Sequence, residues 1–380
     1  MTKQGPGFET LAVHAGQDPD PATGAVVPPL HLATTYAQEG VGRHKGYEYS
    51  RTGNPTRATL ETTLATLEGA EHGVAFASGM AAEDAVLRSL SPGEHLVVGD
   101  DVYGGTWRLI ARVLERYGIE HSAVDLRDRD ALSDAWTSAT RLVWIETPTN
   151  PLLRIVDIEG VCELAHRRGG RVVVDNTFAT PYLQQPIRFG ADVVVHSATK
   201  YLGGHSDVVG GAALTDDKEM AAHLRFIQNA AGAVPSPFDC YLVQRGLKTL
   251  AVRMDRQCAS AMAVAEFLAA HPAVASVRYP GLSSDEGHAL AARQMRAFGA
   301  MVSFTLEGGE QQALEVAART GVFTLAESLG AVESLIEHPA RMTHLSVAGS
   351  LLEVDPSLLR LSVGLETLDD LVADLSRALS

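Results

Sequence analysis

The chain has 380 residues, 46% of them hydrophobic and 20% charged, enough apolar material for an ordinary globular protein with a sizeable core. A formal net charge of −15 opposes general attraction to nucleic acid or to an anionic membrane. Three well-separated cysteines (Cys162, Cys240, Cys258) with no C-x-x-C pair speak against a disulfide framework or a zinc cluster and for a reducing, cytoplasmic setting.

The N-terminal "MTKQGPGFETLAVHAGQDPD" lacks the apolar centre of a signal peptide, and no apolar run approaches the roughly 20 residues that span a bilayer. Residues 1–56 are rich in Gly, Pro and polar side chains, too punctuated for a helix and too long for a casual loop. Tyr47, Tyr49 and Arg51 suggest an arm ordered by packing on something else.

Residues 57–250 read as a large domain. "TRATLETTLATLEGA" has Leu60, Leu64 and Leu67 at helical spacing and stops at Gly69. The runs "GVAFAS", "HLVVGD", "RLVWIETP", "RVVVDNT" and "ADVVVHSAT" follow, separated by amphipathic stretches such as "TWRLIARVLERYG" and "DIEGVCELAHRRG". Continuous β-branched runs alternating with helices predict an α/β fold with a mainly parallel sheet covered on both faces. Residues 251–380 read as a smaller α+β domain, from the long helix "AVRMDRQCASAMAVAEFLAAHP" through strands "VASVRYPG", "GAMVSFTLEGG" and "LLRLSVGLE" to the closing helix "TLDDLVADLSRALS".

Ligands of open α/β sheets sit beyond the carboxyl ends of the strands, so the residues at those ends enumerate the pocket. They are Ser78-Gly79-Met80, Tyr103, Glu146 with Asn150, Asp175, and then Ser197, Thr199 and Lys200. This set suits pyridoxal 5′-phosphate. The cofactor needs a lysine for its aldehyde, a carboxylate for its ring nitrogen, donors for its phosphate and a flat group against its ring. Lys200 supplies the amine and Asp175 the carboxylate; Gly79 and Met80 offer amides at a helix start, and Ser78, Ser197 and Thr199 add hydroxyls. Tyr103 can lie on the ring. Each also has a plainer use: a strand-end lysine is usually solvated, and a strand-end aspartate commonly caps a helix. Only the joint arrangement in strand–helix order carries the argument.

"YEYSRTGNPTR", "FASGMAA", "DVYGGT", "ETPTNP", "VVVDNTFATP", "HSATKYLGGHSDVVGG", "AESLGAVESLIEHP" and "LLRLSVGLE" together resemble the signature segments of the Cys/Met-metabolism pyridoxal-phosphate enzymes, in order and over nearly the whole chain. The resemblance implies fold type I (aspartate-aminotransferase-like), with a mostly parallel seven-stranded sheet and a smaller C-terminal α+β domain. It places Lys200 on the cofactor-holding lysine, Asp175 on the ring-nitrogen partner and Tyr103 on the stacking tyrosine. Ser78, Gly79, Met80, Ser197 and Thr199 fall on the phosphate cradle, and Tyr49 and Arg51 on residues that reach a neighbouring subunit's cofactor in a homotetramer. Arg360 falls on the substrate α-carboxylate position, with Asn150 and Ser328 near cofactor and substrate. Arg108 and Glu327 match positions facing the distal part of the substrate.

Arg360 also has its own reading: strand alternation separates Arg360 and Ser362 from Leu359, Leu361 and Val363, and a strand-held arginine suits a carboxylate. Within the family the expected substrate is a small sulfur amino acid. The expected reaction is cystathionine γ-elimination, as in a cystathionine γ-lyase, with γ-replacement (cystathionine γ-synthase) as the alternative and methionine γ-elimination third. Methionine γ-lyases usually carry cysteine where this chain has Gly105. A non-catalytic nucleotide- or pyridoxal-phosphate-binding α/β protein is the reading from a different class, opposed by the absence of G-x-G-x-x-G after the first strand.

Overall fold

A computed structural model describes residues 5–344 and 352–380. The fold is mixed α/β with a large sheet of mostly parallel strands, as expected. The chain divides into two compact units, Met1–Ser89 with Asp192–Ala251, and Leu90–Ala191 with Val252–Ser380.

In the first unit, strand Gly211–Thr215 lies between His72–Phe76 and Val193–Ser197 and runs antiparallel to both. Helix Pro55–Glu68 packs on this layer with Leu60, Leu64 and Leu67 buried. The expected stop holds, with Gly69 closing the helix in the left-handed conformation at φ 81°, and the structure adds Asn54 at the start, where its side chain accepts the Arg57 N–H. The arm contains one helix that composition did not announce, Phe8–His14, which packs on Pro55–Glu68.

In the second unit, strands Glu120–Val124, His95–Gly99, Thr140–Glu146 and Arg171–Asp175 pair in that order, all parallel. His95–Gly99 and the last four residues of Arg171–Asp175 are buried throughout, so their β-branched runs reflect cover on both faces. The same unit carries a five-stranded sheet. Its order is Thr324–Leu325, Leu335–Glu337, Leu358–Ser362, Met301–Leu306, Val274–Arg278. Leu358–Ser362 is buried along its whole length and antiparallel to both neighbours, with Arg360 opposite Glu337 on one side and Ser303 on the other. "TWRLIARVLERYG" is not one amphipathic helix. It forms an α turn at Gly104–Arg108, a π turn at Leu109–Val113 and a 3₁₀ turn at Leu114–Tyr117, ending at left-handed Gly118.

Candidate active site

The expected site residues fall into two clusters, one in each compact unit. In the first, strand Val193–Ser197 runs buried to His196 and emerges at Ser197. There the Lys200 N–H donates to the Ser197 carbonyl (3.2 Å) and the Gly204 N–H to the Lys200 carbonyl (2.8 Å). A half-buried lysine is thereby fixed on a tight turn where a buried strand ends.

Helix Gly79–Leu87 starts against the same strand end. A Cβ on Gly79 would lie 2.9 Å from the Ser197 Cβ, and one on Gly211 only 2.1 Å from the Ser78 carbonyl oxygen. Only glycine permits either approach. Ser78 caps the helix, its Oγ accepting the Ala81 N–H at 3.1 Å. The amides of Gly79 and Met80 are first-turn donors with no intrahelical acceptor, at the positive end of the helix dipole. Such a start suits a phosphate dianion. The Thr199 hydroxyl is turned to the backbone of Gly210, accepting its N–H at 3.1 Å and lying 3.3 Å from its carbonyl, which pins the Lys200 turn.

Tyr49 and Arg51 are exposed, the guanidinium 5.6 Å from the tyrosine ring centre. Their turn is held from beneath by buried Arg57, which donates to the carbonyls of Ser50 (2.9 Å) and Arg51 (3.0 Å). Arg57 lies within "GNPTR", but its bracing role needs the fold to be visible. So does the buried pair of His196 and Glu68 at 2.7 Å behind the strand.

In the second unit, Glu146 and Asp175 end neighbouring parallel strands in register. Glu146 accepts the Tyr103 backbone N–H at 2.8 Å, and Asp175 the Thr177 N–H at 2.9 Å. A Cβ at position 105 would fall 2.3 Å from the Tyr103 ring, so Gly105 is what lets that ring lie back over its own turn.

Asn150, Ser328 and Arg360 converge. Arg360 is fully buried and donates from Nη1 to Asn150 Oδ1 (2.6 Å) and from Nη2 to the Ser328 carbonyl (3.1 Å). Ser328 presents that carbonyl from φ 100°, a backbone region disfavoured for any residue but glycine. Phe178 lies under the guanidinium at 5.9 Å. Glu337 and His344, which sequence reasoning missed, complete the surroundings. Glu337 Oε2 is 3.0 Å from Arg360 Nη2, and His344 Nε2 donates to the Asn150 carbonyl at 3.1 Å. Burial and the Arg360 charge push His344 down to about 4, so it is neutral near pH 7. Strand pairing places Glu337 beside Arg360, and an alternation argument extended to its short strand was the available signal. Arg108 and Glu327 are exposed and make no ion pair among the described residues.

The first cluster fits pyridoxal phosphate on these observations: a glycine-backed helix start for a dianion and a lysine fixed at a strand end. Among the described residues no His/Cys/Asp/Glu group could hold a metal, and no helix is long and apolar enough to cross a membrane.

The family model described as "Cys/Met metabolism PLP-dependent enzyme" matches residues 9–380. The chain belongs to that family. Pyridoxal phosphate is its cofactor, and the chain is an enzyme. A cystathionine gamma-synthase of Mycobacterium tuberculosis is 59% identical over 375 residues, 98% of this chain and 97% of the relative. A cystathionine beta-lyase of Coxiella burnetii is 50% identical over 377 residues, again 98% and 97%. The crystal structure of a cystathionine gamma-lyase from Lactobacillus plantarum with L-serine matches with TM-score 0.95 and 46% identity over 98% of both chains. The trans-sulfuration assignment therefore stands, and these names do not single out γ-elimination, the reaction expected first.

Proposed function

We propose that the enzyme performs γ-replacement on an O-acylhomoserine with cysteine, giving cystathionine, and that γ-elimination is a lesser capacity of the same machinery. The structural observation that carries the amino-acid reading is Arg360, a buried cation whose Nε–H has no partner among the described residues. A substrate α-carboxylate fills that need with charge-assisted hydrogen bonds. The choice of replacement over elimination is supported by the 59% identity to a cystathionine gamma-synthase, against 46% for the gamma-lyase structure.

Bound pyridoxal phosphate supplies an electron sink that makes the substrate's α- and β-hydrogens acidic and lets a γ-substituent leave. Lys200 would hold the cofactor at rest, and its amine would carry protons at the α-carbon as general base and acid. The Asp175 carboxylate keeps the ring nitrogen protonated. Ser78, Gly79, Met80, Ser197 and Thr199 bind the phosphate, while Tyr103 stacks on the ring and handles the proton of the departing group. Asn150 and Ser328 orient Arg360 on the carboxylate; Arg108 and Glu327 face the distal end of the substrate. Residues 1–56 form an arm that brings Tyr49 and Arg51 to a neighbouring subunit's cofactor in a homotetramer, with 57–250 as the cofactor domain and 251–380 as the smaller one.

Purified enzyme given O-succinyl- or O-acetylhomoserine with cysteine is expected to form cystathionine faster than it releases 2-oxobutanoate from cystathionine alone. Rapid keto acid with no cystathionine synthesis would reverse the direction assigned here.

A further inference from the structure

Among the described residues Arg360 is held by four groups, and three of them are neutral or backbone: Asn150 Oδ1, the Ser328 carbonyl and the Phe178 ring. The fourth is the Glu337 carboxylate, 1% exposed against 2% for Arg360. Two features of this pair are unusual for a purely structural ion pair. Glu337 Oε2 is 3.0 Å from Nη2 without an aligned hydrogen bond to it, so the attraction between the two is mostly charge on charge. The other carboxylate oxygen is tied elsewhere, accepting the Thr343 hydroxyl at 2.8 Å. Thr343 Oγ in turn lies 2.9 Å from His344 Nδ1, and His344 donates to the carbonyl of Asn150, the residue that holds Nη1. Glu337, Thr343, His344 and Asn150 thus close a ring with the guanidinium.

Nε and Nη2 are adjacent nitrogens whose N–H bonds form one of the two edges that bind a carboxylate in bidentate fashion. Among the described residues the Nε–H is buried without a partner, while Nη2 donates to the Ser328 carbonyl and is engaged by Glu337 only through its charge. The open edge and the resident carboxylate meet at the same nitrogen. We infer that Glu337 is an internal stand-in for the substrate carboxylate: it neutralises Arg360 in the empty enzyme and competes with the incoming α-carboxylate for the Nη2 edge. Its effect is to weaken amino-acid binding to a level that permits release, with Thr343 restraining it from closing fully on the guanidinium. Glu337 is thus a positioning residue that sets affinity. The inference rests on the reading of Arg360 as the α-carboxylate site.

The probe is propionate, a carboxylate without the amine that would condense with the cofactor. Its half-saturation is read from thermal stabilisation of the holoenzyme. Glu337→Gln keeps the shape and removes the competing charge. Propionate half-saturation is expected to fall by about fivefold or more, because charge competition at a buried site is weakly screened. KM for the acylhomoserine should fall in parallel while kcat stays level or drops. Thr343→Val leaves the charge and removes its restraint, so half-saturation should rise by roughly threefold or more. A folded E337Q with unchanged or weaker propionate binding overturns the inference. If E337Q fails to fold, T343V decides: an unchanged half-saturation is then fatal to it. Arg360→Ala separates this from the underlying reading, since propionate stabilisation that persists in R360A means the carboxylate site lies elsewhere, whatever Glu337 does.

Discussion

His344 bears a cost that depends on pH. Its Nε2–H faces the Asn150 carbonyl, and burial plus the nearby Arg360 charge lower its pKa from 6.5 to about 4. Because the folded value is depressed, the unfolded chain takes up a proton first as the solution is acidified. Stability is unaffected above about pH 6.5 and declines between there and pH 4, by roughly 2 kcal/mol at pH 5 and 3 kcal/mol at the lower end. His344→Gln keeps an N–H donor near the Asn150 carbonyl and removes the titration. Thermal midpoints of parent and variant at pH 7 and pH 5 test this: the parent should lose more on acidification, and equal losses would mean that His344 titrates normally.

At the scale of elements, the turn that carries Lys200 depends on helix Pro237–Leu247. A Cβ on Gly246 would stand 2.3 Å from the Gly203 carbonyl oxygen and 2.6 Å from that of Leu202, both backbone atoms two and three residues past the lysine. Neither can swing away as a side-chain tip could. Gly246→Ala should therefore shift the 201–204 turn, costing roughly 1–3 kcal/mol as overpacking does, and loosen cofactor binding measurably. Gly232→Ala is the control: that residue sits at φ 80° with open space around its Cα, so it strains the end of a helix and touches nothing. Fluorescence titration with pyridoxal phosphate checks the contrast, and equal cofactor affinity in both variants would remove Gly246 from the support of the lysine.

Legibility in the sequence follows the same division. Helix Pro55–Glu68, the buried β-branched strands and the segment ends bearing Ser78, Asp175 and Lys200 could be read from period and punctuation, because local chemistry determines them. The three-part helix after Tyr103 could not, since its apolar spacing suits a continuous helix and only tertiary packing reveals the π turn. Glu337 and His344 were hidden for a related reason. They come from a three-residue strand and a turn, and they acquire a role only when antiparallel pairing sets one of them opposite Arg360.

For the whole molecule, the exposed turn bearing Arg51 is suited to serve a second copy of the chain. Tyr49 and Arg51 lie exposed on a turn that Arg57 braces, and the arm around them exposes Val26, Val27, Leu32 and Val41. Apolar side chains grouped on one segment, beside a cation that makes no ion pair among the described residues, suit a surface covered by a second copy. In a two-fold catalytic pair each site would then combine Lys200 of one chain with Arg51 of the other. Lys200→Ala and Arg51→Ala enzymes should each be poor catalysts. In a purified hybrid carrying one chain of each kind, one site has lost both residues and the other retains both, so activity should return to about half that of the parent pair, as two-fold exchange of identical patches requires. Were Arg51 to act within its own chain, one site would lack the lysine and the other the arginine, and mixing the two variants would restore nothing.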